Sequence, residues 1–429
     1  MRKYAIARIY SCAKYLCATF MMSTSVWGAN DQPITLGEAL LVASDSHPRL
    51  EALRSRSSAS EARLERASRF RNPQLFFEAE NFAGSGRTRG FSGSELTLAL
   101  SQVIELGAKR KKRTNLATSE VRVVSAELRR MELRVLRDVS LSFIDLAEAE
   151  ALLETDQQIA AAALTLYSSV SANVEAGKVP PVEEVKAKVE LARARLMALK
   201  TQNAIANRRE QLAASMGVET LRSASVDADL FGAEAPASID QIYAHLSNNL
   251  DLAVVDSKIE RAENAVAVAR AEQIPNVSVS AGVRRLEGSD DNAAVMSISV
   301  PLFVFDDRKP LAVAAEHDLA ATIDEKRAAE LRIRKEIANA HQLLQANHNE
   351  FRVMRDEVVP SAELALERVA ESYRLGKLTL LDLIDSQRTF FDAKRQVIQS
   401  ASEFQRASIV LESLIGRVNV AAPSSHGER

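Results

Sequence analysis

Residues 95–113 read ELTLALSQVIELGAKRKKR, and two periodicities meet inside them. Leu96, Leu98 and Leu100 alternate with Thr97, Ala99 and Ser101, which predicts a strand with one apolar face over 95–104. Beyond Gly107 the period changes. Val121, Val124, Leu128, Met131 and Val135 step by three and four, then Val139 and Phe143 follow at two successive fours, a stutter that relaxes a supercoil. One helix over 109–176 is predicted. At 1.5 Å per residue it runs roughly 100 Å, longer than a globular domain is wide, so it needs partners of equal length.

The partners come from a duplication. Asn72-Pro73-Gln74 recurs as Ile274-Pro275-Asn276 at an offset of 202. Ala176-Gly177-Lys178-Val179 recurs as Leu375-Gly376-Lys377-Leu378, and Met216-Gly217 as Ile415-Gly416, both at 199. The change of three falls between Pro73 and Gly177, and the glycine-rich loop Ala83–Ser94, longer than its counterpart Glu287–Asn292, is where such a change is tolerated.

Each half then reads as helix, two strands, very long helix, turn, helix. The first half gives 36–71, 73–82, 95–104, 109–176 and 181–217; the second gives 239–272, 275–285, 294–303, 310–375 and 379–416. Two half-length helices stacked end to end match one long helix in each half. Val182, Val185, Val189, Ala192, Leu196 and Leu199 form an a/d seam, and Ile333, Ile337, Ala340, Leu344, Asn347, Phe351, Met354 and Val358 form another with one polar break. The organisation expected is a first repeat over 30–217, a connecting segment over 218–238, a second repeat over 239–416 and a tail over 417–429.

The N-terminus carries Arg2, Lys3, Arg8 and Lys14, then an apolar stretch from Tyr15 to Trp27 and small residues at Gly28 and Ala29. Residues 1–29 read as a secretory signal peptide, with cleavage after Gly28 favoured over Ala29. Cys12 and Cys17 both lie inside it, and Leu16 before Cys17 argues against a lipid anchor. A disulfide, a zinc cage and a thiol nucleophile are therefore not expected. Removing the signal moves the formal charge from -2 to -6, which does not favour nucleic acid.

No later apolar run reaches the ~20 residues of a membrane helix, so strands must do any spanning. Val277, Val279, Ala281 and Val283 oppose Ser278, Ser280, Gly282 and Arg284, repeating the alternation. Four strands cannot close, and an open edge in lipid leaves unpaired backbone groups. The fold class expected is a long antiparallel α-helical coiled coil with four transmembrane strands per chain, three chains closing a 12-stranded barrel.

With these elements in place, the chain resembles the TolC family of outer-membrane factors. Ser101-Gln102-Val103-Ile104-Glu105-Leu106-Gly107-Ala108-Lys109-Arg110 is similar to the strand-to-helix corner of the CzcC-like heavy-metal branch, with Ala108 where a second glycine is usual. Pro301-Leu302-Phe303-Val304-Phe305-Asp306-Asp307-Arg308 is similar to its partner corner, with Phe303 replacing a proline and one aspartate added. The resemblance implies a homotrimeric outer-membrane barrel on a periplasmic helical tunnel. Docking to a periplasmic adaptor and an inner-membrane RND pump, with heavy-metal cations as cargo, follows from the same resemblance. Tyr373-Arg374-Leu375-Gly376-Lys377, followed by Asp382 and Asp385, matches the tip motif, which implies an adaptor contact at the turn and an acidic periplasmic gate of Asp382, Asp385 and Tyr373.

Plainer readings stand beside these. Gly177, Lys178, Gly376 and Lys377 form helix ends as well as candidate docking tips. Asp382 and Asp385 also sit where a helix start favours negative charge. The basic run Lys109 to Arg113, with Arg308 and Lys309 at the matching place, is either an anchor in the outer-membrane lipid headgroups or a solvated helix start. Glu78 and Glu80 read as pore lining. His341 and His348 are ~10 Å apart on a helix, too far for one metal ion. No nucleotide, hydrolase or metalloprotease motif occurs, so no catalytic activity or cofactor is expected. A protein-secretion duct and a trimeric coiled-coil adhesin are the alternatives, and strand pairs in the chain interior disfavour the adhesin.

Overall fold

The computed structural model describes residues 33–221, 225–232 and 235–417. The expected signal peptide and the tail beyond Arg417 lie outside these residues. The chain runs β1 (Ile34–Thr35), α1 (Leu36–Ser46), α2 (Pro48–Ser68), β2 (Gln74–Glu80), β3 (Glu95–Ile104), α3 (Lys109–Glu175) and α4 (Pro181–Met216). It continues through β4 (Val226–Asp227), α5 (Ile239–Tyr243), α6 (Leu250–Glu272), β5 (Val277–Leu286), β6 (Asp291–Ser299), α7 (Lys309–Val353), α8 (Val359–Arg374) and α9 (Leu380–Leu414).

The helix α3 has 67 residues and is uninterrupted. It carries α4 along its lower half and α1 and α2 along its upper half. The expected single helix over 36–71 is two helices. Pro48 tolerates only a first-turn position, so His47 ends α1 and caps α2, its Nδ1 accepting from the Arg49 N–H at 3.1 Å. The counterpart over 239–272 is also broken: Asn249 caps α6 through Asp251 N–H at 2.9 Å and Leu252 N–H at 3.1 Å. At each break the end of the stacked partner abuts, α4 at Gly217 and α9 at Gly416.

In the second half the long helix is interrupted by a π turn over Met354–Val358. Pro360 follows one residue later, in the first turn of α8. Its ring crowds the carbonyl four residues back and it donates no hydrogen bond, so a widened turn accommodates it. The apolar phase that holds from Ile333 to Met354 is consequently lost, and Val358 is 37% exposed. Asn347, the polar break in that phase, is buried and donates from Nδ2 to the Glu403 carbonyl at 3.0 Å.

The largest buried cluster lies where α1, the middle of α3 and the end of α4 meet, around Leu40, Val139, Phe143, Leu146, Leu212 and Met216. A second joins α5, α6, α7 and α9 around Ile333, Ile337, Leu344, Phe404 and Leu411. The seam expected on α4 does not face α3. Val182, Val185, Val189, Leu196 and Leu199 are exposed, and α4 instead buries Ala187, Leu191, Ala194, Ile205 and Leu212. The face of α4 turned to α3 mixes alanine with leucine and isoleucine, and the stripe of valines and leucines lies outside the protomer's own packing.

The four-stranded sheet is antiparallel in the order β2-β3-β5-β6. Register places Leu75, Phe77, Leu96, Leu98, Leu100, Ala281, Val283, Met296 and Ile298 on one face. Glu78, Glu80, Glu95, Thr97, Ser280, Arg284 and Ser297 share the other. The strand expected over 294–303 is shifted, since β6 ends at Ser299. Proline at 301 has no N–H for a ladder, and β5 begins at Val277, so no partner residue lies opposite.

Hairpin registers also relocate the change of spacing. Phe76 pairs with Ala99, and Ser278 with Ser299, so the second strands are 200 apart when the first are 202 apart. Helices α3 and α7 start at Lys109 and Lys309, again 200 apart. Two of the three residues are thus accounted for at the loop, and the third within the long helices, not all three in the loop.

Candidate functional site

At one end of the helices, two hairpin turns lie together. Both are built by the same rule: a glycine at positive φ, Gly177 at 67° and Gly376 at 70°, ends the incoming helix. The Gly177 N–H donates to Val174 O at 2.9 Å and the Lys178 N–H to Asn173 O at 2.8 Å. The Gly376 N–H donates to Tyr373 O at 2.9 Å and the Lys377 N–H to Ser372 O at 3.0 Å. These are Schellman ends, which satisfy helix carbonyls that otherwise have no partner.

The outgoing helices start differently. Pro181 opens α4 at a position where its missing N–H costs nothing. Thr379 opens α9 in a reciprocal capping box: Asp382 accepts from Thr379 N–H at 2.8 Å and Oγ1 at 2.6 Å, while Asp382 N–H donates to Thr379 Oγ1 at 3.3 Å. The Thr379 hydroxyl and then its backbone N–H hold the Asp382 carboxyl below the usual carboxylate range. Asp385 lies one turn on, exposed on the same flank, while Leu383 and Ile384 between them are buried. Asp382 therefore has a local helix-start role whatever else it does.

Tyr373 packs on the tip cluster of Leu166, Val170, Ala187, Leu380, Leu383 and Ile384, which ties the end of α8 to α3 and α4. Burial, and secondly the charge of Glu183, raise its hydroxyl above the ordinary range. Within the first hairpin, Glu184 accepts from Ser171 Oγ at 2.9 Å and Tyr167 Oη at 3.3 Å. Across the hairpins, Arg388 of α9 makes a two-point contact with Glu190 of α4, with Nε at 3.2 Å from Oε2.

Farther from the tip lies a group that sequence reasoning missed. Asp156 of α3 is fully buried, accepts from Thr201 Oγ1 of α4 at 2.6 Å and is ion-paired with Arg395 of α9. The pair sits near the π turn, since Val397 and Ala393 of α9 pack on Met354 and Ala362. A signal for it exists: Ala149, Asp156, Ala163 and Val170 recur every seven residues and all are buried. An aspartate on a strict heptad among apolar residues needs a partner.

At the opposite end, Lys109 does not face lipid. It is 4% exposed, with Nζ 2.9 Å from Asn276 Oδ1 and 3.5 Å from Glu272 Oε2, so it ties α3 to the end of α6. Arg308 pairs with Glu272 at 3.0 Å and lies over the Phe303 ring. Arg110 lies 3.7 Å over the exposed Phe70 ring, and Lys309 is exposed beside Asp307 at 2.8 Å. Of the four expected anchors only Lys309 is exposed, Arg110 and Arg308 are half-buried, and Lys109 is buried. On the sheet's polar face Arg284 reaches Glu80 at 3.1 Å, Glu95 at 2.7 Å and Thr97 Oγ1 at 2.9 Å. His341 contacts the Ala237 carbonyl at 2.9 Å and His348 packs on Phe404, and the described residues hold no cluster of His, Cys, Asp and Glu suited to a metal ion.

No described helix is long and apolar enough to cross a membrane. Against this geometry, residues 41–218 and 242–417 both match the family described as Outer membrane efflux protein. The chain belongs to that family. It is an outer-membrane efflux channel protein of the TolC and CzcC type, not an enzyme. The cobalt-zinc-cadmium resistance protein CzcC of Cupriavidus metallidurans is 26% identical over 385 residues, covering 90% of each chain. Among solved structures, the outer membrane protein VceC of Vibrio cholerae superposes with a TM-score of 0.74 at 20% identity, covering 89% of this chain and 96% of that one. The open state of the MtrE outer membrane channel of Neisseria gonorrhoeae gives 0.73 at 16% identity, covering 89% and 88%.

Proposed function

We propose that three copies of this chain form a passive duct that carries heavy-metal cations across the periplasm and outer membrane, docked to a periplasmic adaptor and an inner-membrane RND pump. The observation that carries the duct is the open sheet: one apolar face, one polar face and two edge strands, β2 and β6, with no partner among the described residues. In lipid each unsatisfied backbone group costs several kcal/mol, so the edges must meet other copies, and three sets of four strands make a barrel of 12. The exposed apolar stripe of α4 supports the same assembly, because Val182, Val185, Val189, Leu196 and Leu199 need cover that the protomer lacks. The metal cargo rests on the likeness to the cobalt-zinc-cadmium resistance protein across nine-tenths of the chain.

In this assembly the turns at Gly177-Lys178 and Gly376-Lys377 meet the adaptor, being the exposed far ends of the long helices. Asp382 and Asp385, each repeated three times by symmetry, ring the periplasmic entrance, and Tyr373 braces the closed state against α3 and α4. Carboxylate rings attract cations and repel anions. Arg110 with Phe70, and Lys309, meet the inner headgroup layer.

Deleting the gene should lower resistance to cobalt, zinc and cadmium by several fold, and the intact chain should restore it. Unchanged resistance to all three would remove the metal assignment. In planar bilayers, Asp382→Asn with Asp385→Asn should abolish cation preference; unaltered selectivity would place the entrance ring elsewhere.

A further inference from the structure

In the isolated protomer, the segment after β6 is apolar and uncovered. Val300, Leu302, Val304 and Phe305 are 43%, 81%, 72% and 102% exposed. Its even-numbered residues continue the sequence alternation of Ala294, Met296 and Ile298, so an extended continuation of β6 would set them on the apolar face of the sheet. The other uncovered edge, β2, carries Leu75 and Phe77 on that same face, 73% and 66% exposed. β2 and β6 run in opposite directions in the sheet, so copies placed side by side bring the end of β6 beside the start of β2 in antiparallel fashion.

The chain contains a template for this seam. β3 and β5 join the two halves through ten pairs, from Glu95 with Leu286 to Ile104 with Val277. The hairpin registers put first strands 202 apart and second strands 200 apart, so each β3–β5 pair translates to one pair between β6 and the β2 of a neighbour. Leu100 with Ala281 becomes Val300 with Ala79, Gln102 with Val279 becomes Leu302 with Phe77, and Ile104 with Val277 becomes Val304 with Leu75. These three pairs set apolar residue against apolar residue on the apolar face, while the alternate pairs, Pro301 with Glu78 and Phe303 with Phe76, fall on the other face.

We infer that β6 extends through Val300–Val304 in the assembled channel, by pairing with Leu75–Ala79 of a second copy in this register. The inference rests on the trimeric reading and adds its seam. The seam requires the Pro301 nitrogen to point to the β5 side, where the ladder has already ended and no N–H is needed. The local turn in which Val304 N–H donates to Leu302 O at 3.0 Å must open, exchanging one hydrogen bond for those of the seam. Pairing ahead of assembly is thereby disfavoured, which keeps a long apolar edge from templating aggregation.

Cysteine pairs test the register, in a background where Cys12 and Cys17 are replaced by serine. Directly opposed residues lie within disulfide reach, whereas diagonal neighbours at roughly 7–8 Å do not. Leu302→Cys with Phe77→Cys should yield a covalent trimer that survives boiling in SDS. Leu302→Cys paired with Leu75→Cys or Ala79→Cys should yield at least about tenfold less. Native trimers without the Leu302–Phe77 link, or with a stronger link in a shifted pair, overturn the register while leaving the duct intact. A monomer in native outer membranes overturns both. If the double variants do not assemble, amide exchange on the unaltered protein decides: Val300 and Leu302 should exchange at least about a hundredfold more slowly in the trimer than in an unstructured peptide, and free exchange overturns the seam.

Discussion

The helices of this chain end the same way at the tips and at the midline, in opposite surroundings. Gly177 and Gly376 at the tips, and Gly217 and Gly416 at the stacking junctions, all take positive φ and all close Schellman hydrogen bonds. A Cβ added at Gly177 or Gly376 meets nothing within 4 Å. At Gly217 it comes within 2.7 Å of Pro48 Cδ and 3.1 Å of His47 Cα, and at Gly416 within 2.4 Å of the Asn248 carbonyl oxygen. The glycine requirement at the tips is purely conformational, while at the junctions it is also steric. One end of each hairpin is therefore locked to its neighbours and the other presents open backbone.

The boundary between the two regimes is the place most sensitive to change. Asp156→Ala leaves Arg395, with a side chain 20% exposed, without its buried partner. Breaking such a pair costs about 3–5 kcal/mol, and guanidinium unfolding of the detergent-solubilised protein should show a loss of that order. A loss under about 1 kcal/mol would mean that the pair does not link α3 to α9. Next in size is Gly217→Ala, where left-handed strain of about 1–2 kcal/mol adds to about 1–3 kcal/mol of overpacking against the α1–α2 break. Gly177→Ala carries only the strain, about 1–2 kcal/mol. Equal losses at Gly177 and Gly217 would break the comparison outright. Replacing Gly177 and Gly376 by tryptophan should further reduce resistance and adaptor crosslinking while trimer yield falls little.

The order of helices and strands is legible because each carries its own period over many residues: the alternation at Leu96–Leu100 and the three-four steps from Ile333 to Met354 need no tertiary information. What is not legible is which side of a helix faces which neighbour. The α4 stripe from Val182 to Leu199 reads as a seam but is exposed in the protomer, because α4 turns Ala187, Leu191 and Ala194, on another face, towards α3. Breaks at His47–Pro48 and before Pro360 are local chemistry visible in the sequence, yet both prolines sit in a helix's first turn, one after a sharp end and the other after a π turn that lets the helix run on, so proline alone does not say where a helix stops. The basic run after Gly107 shows the same limit. Lys109 and Arg110 are adjacent and alike in sequence, and one is buried against Glu272 while the other stacks outward on Phe70. At the tip, Tyr373 and Asp382 are recognisable from their motif, whereas the Glu190–Arg388 contact depends on how two hairpins meet.

The smallest effect concerns the asymmetry between the two tips, one started by Pro181 and the other by the Thr379–Asp382 capping box. Asp382 has its folded pKa depressed, chiefly by the Thr379 hydroxyl and then by the Thr379 N–H. A carboxylate depressed on folding adds stability that is present above its unfolded pKa of about 3.9 and is lost as pH falls through the lower folded value. Amides in the first turn of α9 should therefore exchange faster, relative to the intrinsic rate, as pH drops below about 4, while the first turn of α4 keeps its protection. Asp382→Asn should remove that step, since an amide does not titrate, and Thr379→Ala should weaken protection already at neutral pH. Because Asp382 is exposed, solvent screens the charge and the change stays confined to the first turn, without a shift in global unfolding. The two variants also separate the helix-start role from the gate. Thr379→Ala keeps the carboxylate, so if the acidic ring sets selectivity the channel stays cation-selective with a frayed tip, whereas Asp382→Asn reduces selectivity at full assembly. Identical conductance profiles for the two would assign Asp382 to the cap alone.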